Sequence, residues 1–368
     1  MNLKPLLAFL IAALAPTAVL EPRANAGTRV TTESECTRVD LRPMMGKVRS
    51  QGDKGWCYAN AAADLLSFFH RGELGGQQIS AAYTALTTLR HLTFWGSTGN
   101  GGFILAGIVA AEEYGFCPNV LEREVMNTGL VNRTLSERID ILQKLKDDWD
   151  RAQEGDQAAR SAFVDQYAEY VKTSSIVAKI PFESLKEVLN QSTHRTFIQS
   201  FAKKLCSGQL YKSIRKPSAS FASRLKTGEI ILPLVPPYWM GPFLGVKRIP
   251  PISWNPLSWN QDYIARINAE LSRNNIVGID YFSNFLNTDY LSRPDSLRTG
   301  MHSSVLAGRR WNPRNTRNSK CEYLIRNSWG EGCEAYGIKN HPGYCESGNI
   351  WVPENILDRN LIGYLYLN

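Results

Sequence analysis

No internal stretch of the 368-residue chain is long and apolar enough to span a bilayer, and the basic residues do not gather into one block. The net charge of +8 is spread over lysines and arginines that occur singly or in pairs, which argues against nucleic-acid binding. The seven cysteines show no Cys-x-x-Cys or Cys/His spacing, so the sequence implies neither a zinc site nor a cofactor. What is left is a globular protein whose 43% of hydrophobic residues suffice for one large two-lobed domain or two small ones.

The first 26 residues are typical of a secretory signal. Lys4 supplies a positive start, residues 5–15 form an apolar core too short for a membrane anchor, and Ala24-Asn25-Ala26 is a small-x-small cleavage site. We therefore predict cleavage after Ala26 and a secreted or periplasmic protein. An oxidising compartment suits a chain with seven cysteines.

The segment from Gln51 to Phe69 organises the chain. A glycine-rich, charged turn ends at Cys57, and apolar residues then recur with a helical period. Cys57 is thus predicted on the first turn of a helix, where free N–H groups and the positive end of the dipole lower a thiol pKa and favour the nucleophilic thiolate. The amide of Gln51, six residues upstream, would point at an oxyanion held by the Cys57 N–H. The alternative is an inert cysteine packed at a helix start.

Two strand-like runs far downstream contain the groups that a nucleophilic cysteine needs. Residues 300–308 include His302, residues 321–330 include Asn327, and a polar turn separates the two runs. Paired as a hairpin, the runs would bring His302 and Asn327 together on neighbouring strands. A nucleophilic cysteine requires a base, and that base requires an orienting partner.

At this point the sequence resembles the papain-like cysteine peptidases. Four motifs in family order carry the resemblance: Gln51 with Cys57, residues 79–80 followed by the glycine run 99–102, His302 before a Val/Gly strand, and Asn327-Ser328-Trp329-Gly330. The resemblance covers residues 45–120 and 260–368. It implies a two-lobed α+β fold, with a helical N-terminal lobe, an antiparallel β-barrel-like C-terminal lobe and a cleft between them.

The resemblance also implies a role for each matching residue. Cys57 would attack the scissile carbonyl as a thiolate paired with protonated His302, which would then protonate the leaving amine. Asn327 would hold the imidazole in its orientation and tautomer, and Gln51 would complete the oxyanion hole. Trp329 would cover the bond between His302 and Asn327.

The glycine pair Gly101 and Gly102 is the candidate substrate-binding element. In the resembled family the matching pair lines the cleft and bonds the substrate main chain, because glycine lets a peptide backbone approach closely. A simple turn before the next helix is the other role compatible with this run.

These expectations converge on an exported cysteine peptidase that hydrolyses a peptide or protein substrate through a thioester acyl-enzyme. One alternative is a non-catalytic module on the same fold that binds a peptide or a glycan. Another is a cysteine acyltransferase or isopeptidase, which would form the same acyl-enzyme and differ only in the acceptor. The sequence leaves the oligomeric state open.

The separation of 245 residues from Cys57 to His302 exceeds what the family core needs. Helical stripes occupy residues 135–149, 163–171 and 185–189 of this middle part. We predict a signal peptide, an N-terminal helical lobe, a helical insertion and a C-terminal β-rich lobe, with bounds 1–26, 27–121, 122–229 and 230–368. Further helices are predicted over 79–91, 103–114 and 263–271, and further strands over 276–281, 348–352 and 361–367.

Disulfide pairing is only partly constrained. If Cys57 is the free nucleophile, six cysteines remain, and six allow 15 connectivities. Cys333 and Cys345 bracket a loop rich in glycine, histidine and proline, and they are the favoured pair.

Overall fold

The computed structural model describes residues 31–52, 54–88, 102–118, 135–155, 157–173, 181–191, 193–206, 217–221, 263–291 and 300–367. Within these ranges the helices are α1 (Cys57–Phe69), α2 (Ala81–Thr88), α3 (Ile104–Tyr114), α4 (Leu135–Glu154), α5 (Gln157–Thr173), α6 (Phe182–Leu189), α7 (His194–Leu205), α8 (Tyr263–Ser272) and α9 (Glu354–Asn360). The strands are β1 (Val39–Asp40), β2 (Pro217–Phe221), β3 (Val277–Phe282), β4 (Met301–Trp311), β5 (Cys321–Arg326), β6 (Cys345–Glu346), β7 (Asn349–Pro353) and β8 (Leu361–Leu367).

One antiparallel sheet contains all of these strands. Its order is β2-β8-β3-β4-β5-β7-β6, and the short β1 pairs with β4 beside this path. All residues of β5 and β7 are buried, since the sheet is covered on both faces there. The α+β class predicted from the sequence is confirmed: helices dominate the chain before residue 206, and the antiparallel sheet dominates the chain after it.

Helix α1 packs against the sheet and against helices α2 and α3. Its residue Leu65 and Ile104 of α3 both reach Gly278 of β3, where a side chain would collide with them at 2.8 and 3.0 Å. A larger residue at position 278 would therefore push the helices off the sheet. Helix α2 begins after Ser80, whose hydroxyl accepts the Tyr83 N–H at 3.0 Å, and α3 ends at Gly115 with a φ of 80°.

Residues 36–40, which precede the first helix, are joined to the sheet. Strand β1 pairs with Arg309 and Gly308, and a disulfide links Cys36 to Cys321 at the start of β5. A Cβ on Gly308 would lie 2.4 Å from the Val39 carbonyl oxygen, so glycine is needed for this close pairing.

Helices α4 to α7 pack around aromatic side chains. The ring of Trp149 lies 5.2 Å from that of Phe163 across α4 and α5, and the buried Phe197 and Phe201 of α7 belong to the same hydrophobic cluster. A disulfide between Cys117 and Cys206 fastens the end of α7 to the segment after α3. The three helical stripes predicted for the middle of the chain are helices α4, α5 and α6.

Two strands lie in segments that were predicted to be helical. Strand β1 lies in the range assigned to the N-terminal helical lobe, and β2 in the range assigned to the insertion, yet both pair with strands of the sheet. The division remains a prediction. The predicted signal, Gly101 and residues 230–260 lie outside the described residues. Among the described helices, none has the length and apolarity required to cross a membrane.

Candidate active site

Cys57 is the first residue of α1, as the helical period predicts. It is 5% exposed and carries the one free thiol, because disulfides join the other six cysteines. The pair Cys333–Cys345, which the sequence favours, is present. A single thiol at the start of a buried helix makes Cys57 the candidate nucleophile.

His302 and Asn327 lie together on the predicted hairpin. Strands β4 and β5 are antiparallel neighbours, His302 is the second residue of β4, and Asn327 follows β5 directly. The Nε2 atom of His302 is 2.6 Å from Oδ1 of Asn327, and both side chains are buried. The sequence therefore predicted this contact, which joins residues 25 positions apart.

The hydrogen bonds of Asn327 determine which nitrogen of His302 carries the proton. Its Oδ1 accepts the backbone N–H of Ser328 at 2.8 Å and the hydroxyl of Ser304 at 3.2 Å, so this atom is the carbonyl oxygen. His302 Nε2 must then be the donor. In the neutral imidazole, Nδ1 is consequently unprotonated and able to accept a proton.

Aromatic rings cover this pair. The ring of Trp329 lies 5.4 Å from that of His302 and stacks at 5.2 Å on Tyr336. Asn327 Nδ2 donates to the Tyr336 hydroxyl at 3.2 Å. The bond between His302 and Asn327 is thus held in apolar surroundings, where hydrogen bonds are stronger.

Gln51 is tied to the same loop from the other side. Its backbone N–H donates to the Ser328 carbonyl at 2.8 Å, and its Oε1 accepts the Ser328 hydroxyl at 2.6 Å. Its Nε2 donates to the Lys54 carbonyl at 2.9 Å, which uses one of the two amide hydrogens. Ser328 therefore fixes the Gln51 side chain next to the residue that orients His302.

The thiol of Cys57 lies against β4 at Ser303, the residue that follows His302. The backbone N–H and the hydroxyl of Ser303 favour the anionic sulfur, but burial outweighs them and raises the pKa of the Cys57 thiol to about 11. Because Ser303 and His302 are consecutive, the thiol and the imidazole are at the same end of β4.

Burial acts on the imidazole in the opposite direction. It lowers the pKa of His302 to about 4, although the hydrogen bond with Asn327 favours the protonated ring. Both directions run against the thiolate paired with protonated His302 that the sequence analysis expects at neutral pH. Burial thus opposes charge on both groups, whereas the position of Cys57 at the start of α1 favours the thiolate.

The glycine pair is described only in part. Gly102 is half-buried and lies two residues before α3, whose N-cap is Phe103. Gly101 falls outside the described residues, so the substrate-binding role of this run stays a prediction.

A buried ion triad, formed by Arg49, Asp64 and Arg326, connects the candidate site to the core. Asp64 of α1 accepts from Arg49 Nε at 2.7 Å and from Arg326 Nε at 2.8 Å. Burial raises the pKa of Asp64, but the charges and hydrogen bonds of the two arginines outweigh burial and hold it below its usual value. Arg326 immediately precedes Asn327, so the triad links the helix of Cys57 to the strand that positions Asn327.

Sequence reasoning missed several residues that surround the candidate site. Ser303 and Asp280 face each other on β4 and β3, Ser304 contacts Asn327, and Tyr336 supports Trp329. Asp280 offered one signal, because a carboxylate inside an otherwise apolar predicted strand is unusual. The serines and Tyr336 carried no comparable signal.

Comparisons with known proteins give structural likenesses. No protein-family model matches the chain, and no curated protein matches it. The chain is similar to digestive procathepsin L 3 from the larval midgut of Tenebrio molitor, with 11% identity, a TM-score of 0.42, and coverage of 92% of this chain and 72% of the other. Xylellain, a cysteine protease from Xylella fastidiosa, gives 15% identity, a TM-score of 0.43, and coverage of 93% and 90%.

A structure from work on the mite allergens Blo t 1 and Der p 1 gives 13% identity, a TM-score of 0.42, and coverage of 95% and 74%. The similar structures include cysteine proteases, the class that the sequence motifs resemble. At such low TM-scores and identities, these likenesses fix neither a family nor an activity.

Proposed function

We propose that the protein is an exported cysteine peptidase in which Cys57 is the nucleophile, His302 the base and Asn327 the residue that orients the base. The observation that carries the proposal is the bond between His302 Nε2 and Asn327 Oδ1 beside the one free thiol. That bond leaves Nδ1 of the imidazole as a proton acceptor. A buried histidine needs such a fixed tautomer to serve as a general base.

The resting charge state defines the first step. Because burial favours the neutral forms of thiol and imidazole, Cys57 would transfer its proton to His302 Nδ1 as the sulfur attacks the scissile carbonyl. The bond between His302 and Asn327 would stabilise the imidazolium that forms. His302 would then give the proton to the leaving amine, and a thioester to Cys57 would remain.

The oxyanion would be held by two N–H groups. The backbone N–H of Cys57 lies at the start of α1, where the helix itself supplies no acceptor. The second hydrogen of Gln51 Nε2 would provide the other contact, since the bond to Lys54 uses one hydrogen only. Water would then hydrolyse the thioester, with His302 as the base.

Export is supported by two features that do not depend on the active site. The first 26 residues have the composition of a secretory signal. Three disulfides are typical of proteins that leave the cytosol.

An amine acceptor in place of water would make the same residues an acyltransferase, and analysis of the products separates the two reactions.

The test is covalent labelling of the full chain with a thiol-directed peptidyl epoxide, followed by mapping of the modified residue and by cleavage assays on a peptide mixture. We expect one modified site at Cys57, no labelling in Cys57→Ala, and roughly hundredfold slower labelling in His302→Ala, the lower end of what a lost general base costs. His341→Ala is the matched control, because His341 is a partly exposed histidine paired with Asp289. The proposal would be refuted if His302→Ala were labelled as fast as wild type and the wild-type protein cleaved no peptide.

A further inference from the structure

A second titratable side chain lies next to the candidate nucleophile. Asp280 of β3 is directly opposite Ser303 of β4, so the two side chains share one face of the sheet. The hydroxyl of Ser303 is 2.5 Å from Asp280 Oδ1, and the Ile104 N–H at the start of α3 approaches the same oxygen at 3.5 Å. Asp280 is 4% exposed. A buried carboxyl group is thus held by one serine and one helix start.

Ser303 also lies next to the sulfur of Cys57, where its hydroxyl and its backbone N–H favour the anionic form. A serine hydroxyl has one hydrogen to donate. When Asp280 is ionised, that hydrogen goes to the carboxylate, and the serine oxygen can only accept from the thiol. When Asp280 is protonated, its own O–H can donate to Ser303, and the serine hydrogen becomes available to a thiolate.

The surroundings contain little to neutralise two negative charges. The described titratable groups that face this corner are Tyr58 from α1, Tyr281 from β3, His302 from β4 and Tyr336 beyond β5. On the third side the residue paired with Asp280 is Gly363 of β8, which has no side chain. None of these groups is a lysine or an arginine, so the carboxylate and a thiolate would repel each other directly.

We propose that Asp280 is a positioning residue that controls the ionisation of Cys57, because the single hydroxyl hydrogen of Ser303 serves either the Asp280 carboxylate or the Cys57 thiolate. The inference rests on the proposed role of Cys57 as nucleophile. Burial raises the pKa of Asp280 to about 7, although the hydrogen bonds from Ser303 and Ile104 favour the anion. Asp280 therefore changes charge in the neutral range, and its ionisation opposes formation of the thiolate.

The test measures the rate of alkylation of Cys57 by iodoacetamide from pH 5 to pH 10 in the full-length, disulfide-bonded protein. The logarithm of the wild-type rate should rise with pH, bend to a smaller slope near pH 7 as Asp280 ionises, and then rise again. In Asp280→Asn the amide donates permanently to Ser303 and imitates the protonated acid. The alkylation rate of Asp280→Asn should equal that of wild type below pH 6 and should rise with pH without a bend. At pH 9 the variant should react roughly tenfold faster than wild type for each unit by which the Asp280 carboxylate raises the pKa of the Cys57 thiol.

Two further variants separate this role from a structural one. The bend should persist in His302→Ala, because it does not arise from the imidazole. The effect of Asp280→Asn should shrink when Ser303 is already alanine, since the shared hydroxyl is then missing. A mere packing defect would change the rate at every pH instead.

Each outcome decides the inference. A wild-type profile that is straight through pH 7 overturns it, whether or not Asp280→Asn can be refolded, and so does loss of the bend in His302→Ala. A protein that shows the bend but cleaves no peptide would refute the peptidase proposal and support the control of Cys57 by Asp280.

Discussion

Replacing Asp64 by asparagine tests the buried ion triad of Arg49, Asp64 and Arg326. The side chains of Arg49, Asp64 and Arg326 are only 4%, 7% and 2% exposed. Asparagine has nearly the same shape as aspartate but carries no charge, so two guanidinium groups would stay buried without their common anion. Removal of one partner from a buried ion pair costs about 3–5 kcal/mol. A domain is stable by about 5–15 kcal/mol in total, so this single change would remove a large share.

The pH dependence of the loss follows from the pKa of Asp64, which is lowered in the folded protein. A group of this kind contributes its stability above its unfolded pKa and loses it as the pH falls through its folded pKa. The difference between wild type and Asp64→Asn should therefore be complete at neutral pH. It should shrink only below about pH 4, the ordinary value for an aspartate.

The assay is urea denaturation at pH 7 and at pH 3, followed by tryptophan fluorescence with the disulfides intact. Glu183→Gln is the matched control, because Glu183 pairs with Lys186 on an exposed helix face and its side chain is 81% exposed. The control should unfold at the same urea concentration as the wild type. A loss below about 1 kcal/mol in Asp64→Asn at pH 7 would show that the triad behaves like a surface pair, and it would refute the reasoning.

Three further predictions concern a disulfide, a glycine and the orienting amide. Replacing Cys117 and Cys206 by serine opens a loop of 89 residues and should lower stability by about 4–5 kcal/mol through chain entropy. Replacing Cys333 and Cys345, which close 12 residues, should cost about 3 kcal/mol. A lower melting temperature for the second variant than for the first would contradict this prediction. Gly308→Ala forces a Cβ to within 2.4 Å of the Val39 carbonyl and should lower stability by about 1–3 kcal/mol, whereas Gly72→Ala, with open space around it, should melt like wild type. Asn327→Ala leaves His302 Nε2 without its acceptor and should reduce kcat roughly hundredfold with little change in KM; peptide cleavage within twofold of wild type would remove Asn327 from the proposed mechanism.

Local patterns predicted the elements of the candidate site well. The helix that begins at Cys57 was predicted from a helical period, the hairpin of His302 and Asn327 from two strand-like runs around a polar turn, and the final strand at residues 361–367 from its aromatic and aliphatic content. Each is present. Helix α7 was missed, although Thr193 caps it by accepting the Thr196 N–H. Its polar stretch of lysines and a histidine obscured the apolar face.

Charge states could not be predicted from such patterns. The position of Cys57 at a helix start suggested a lowered thiol pKa, but the sulfur is buried by strands that lie more than two hundred residues downstream, and burial raises its pKa to about 11. The disulfides Cys36–Cys321 and Cys117–Cys206 could not be predicted from local patterns either, because their partners are 285 and 89 residues apart in the sequence. Both failures have one cause: burial and disulfide pairing depend on which distant segments meet.

Trp56 and Tyr58, on either side of the candidate nucleophile, are 2% and 0% exposed. Both belong to the hydrophobic cluster that the helices beyond residue 135 complete. Removal of those helices would therefore take away part of the cluster in which these two rings, next to the candidate nucleophile, are buried. The middle helices cannot be treated as a detachable accessory, and a shortened version should precipitate unless replacement residues cover those rings.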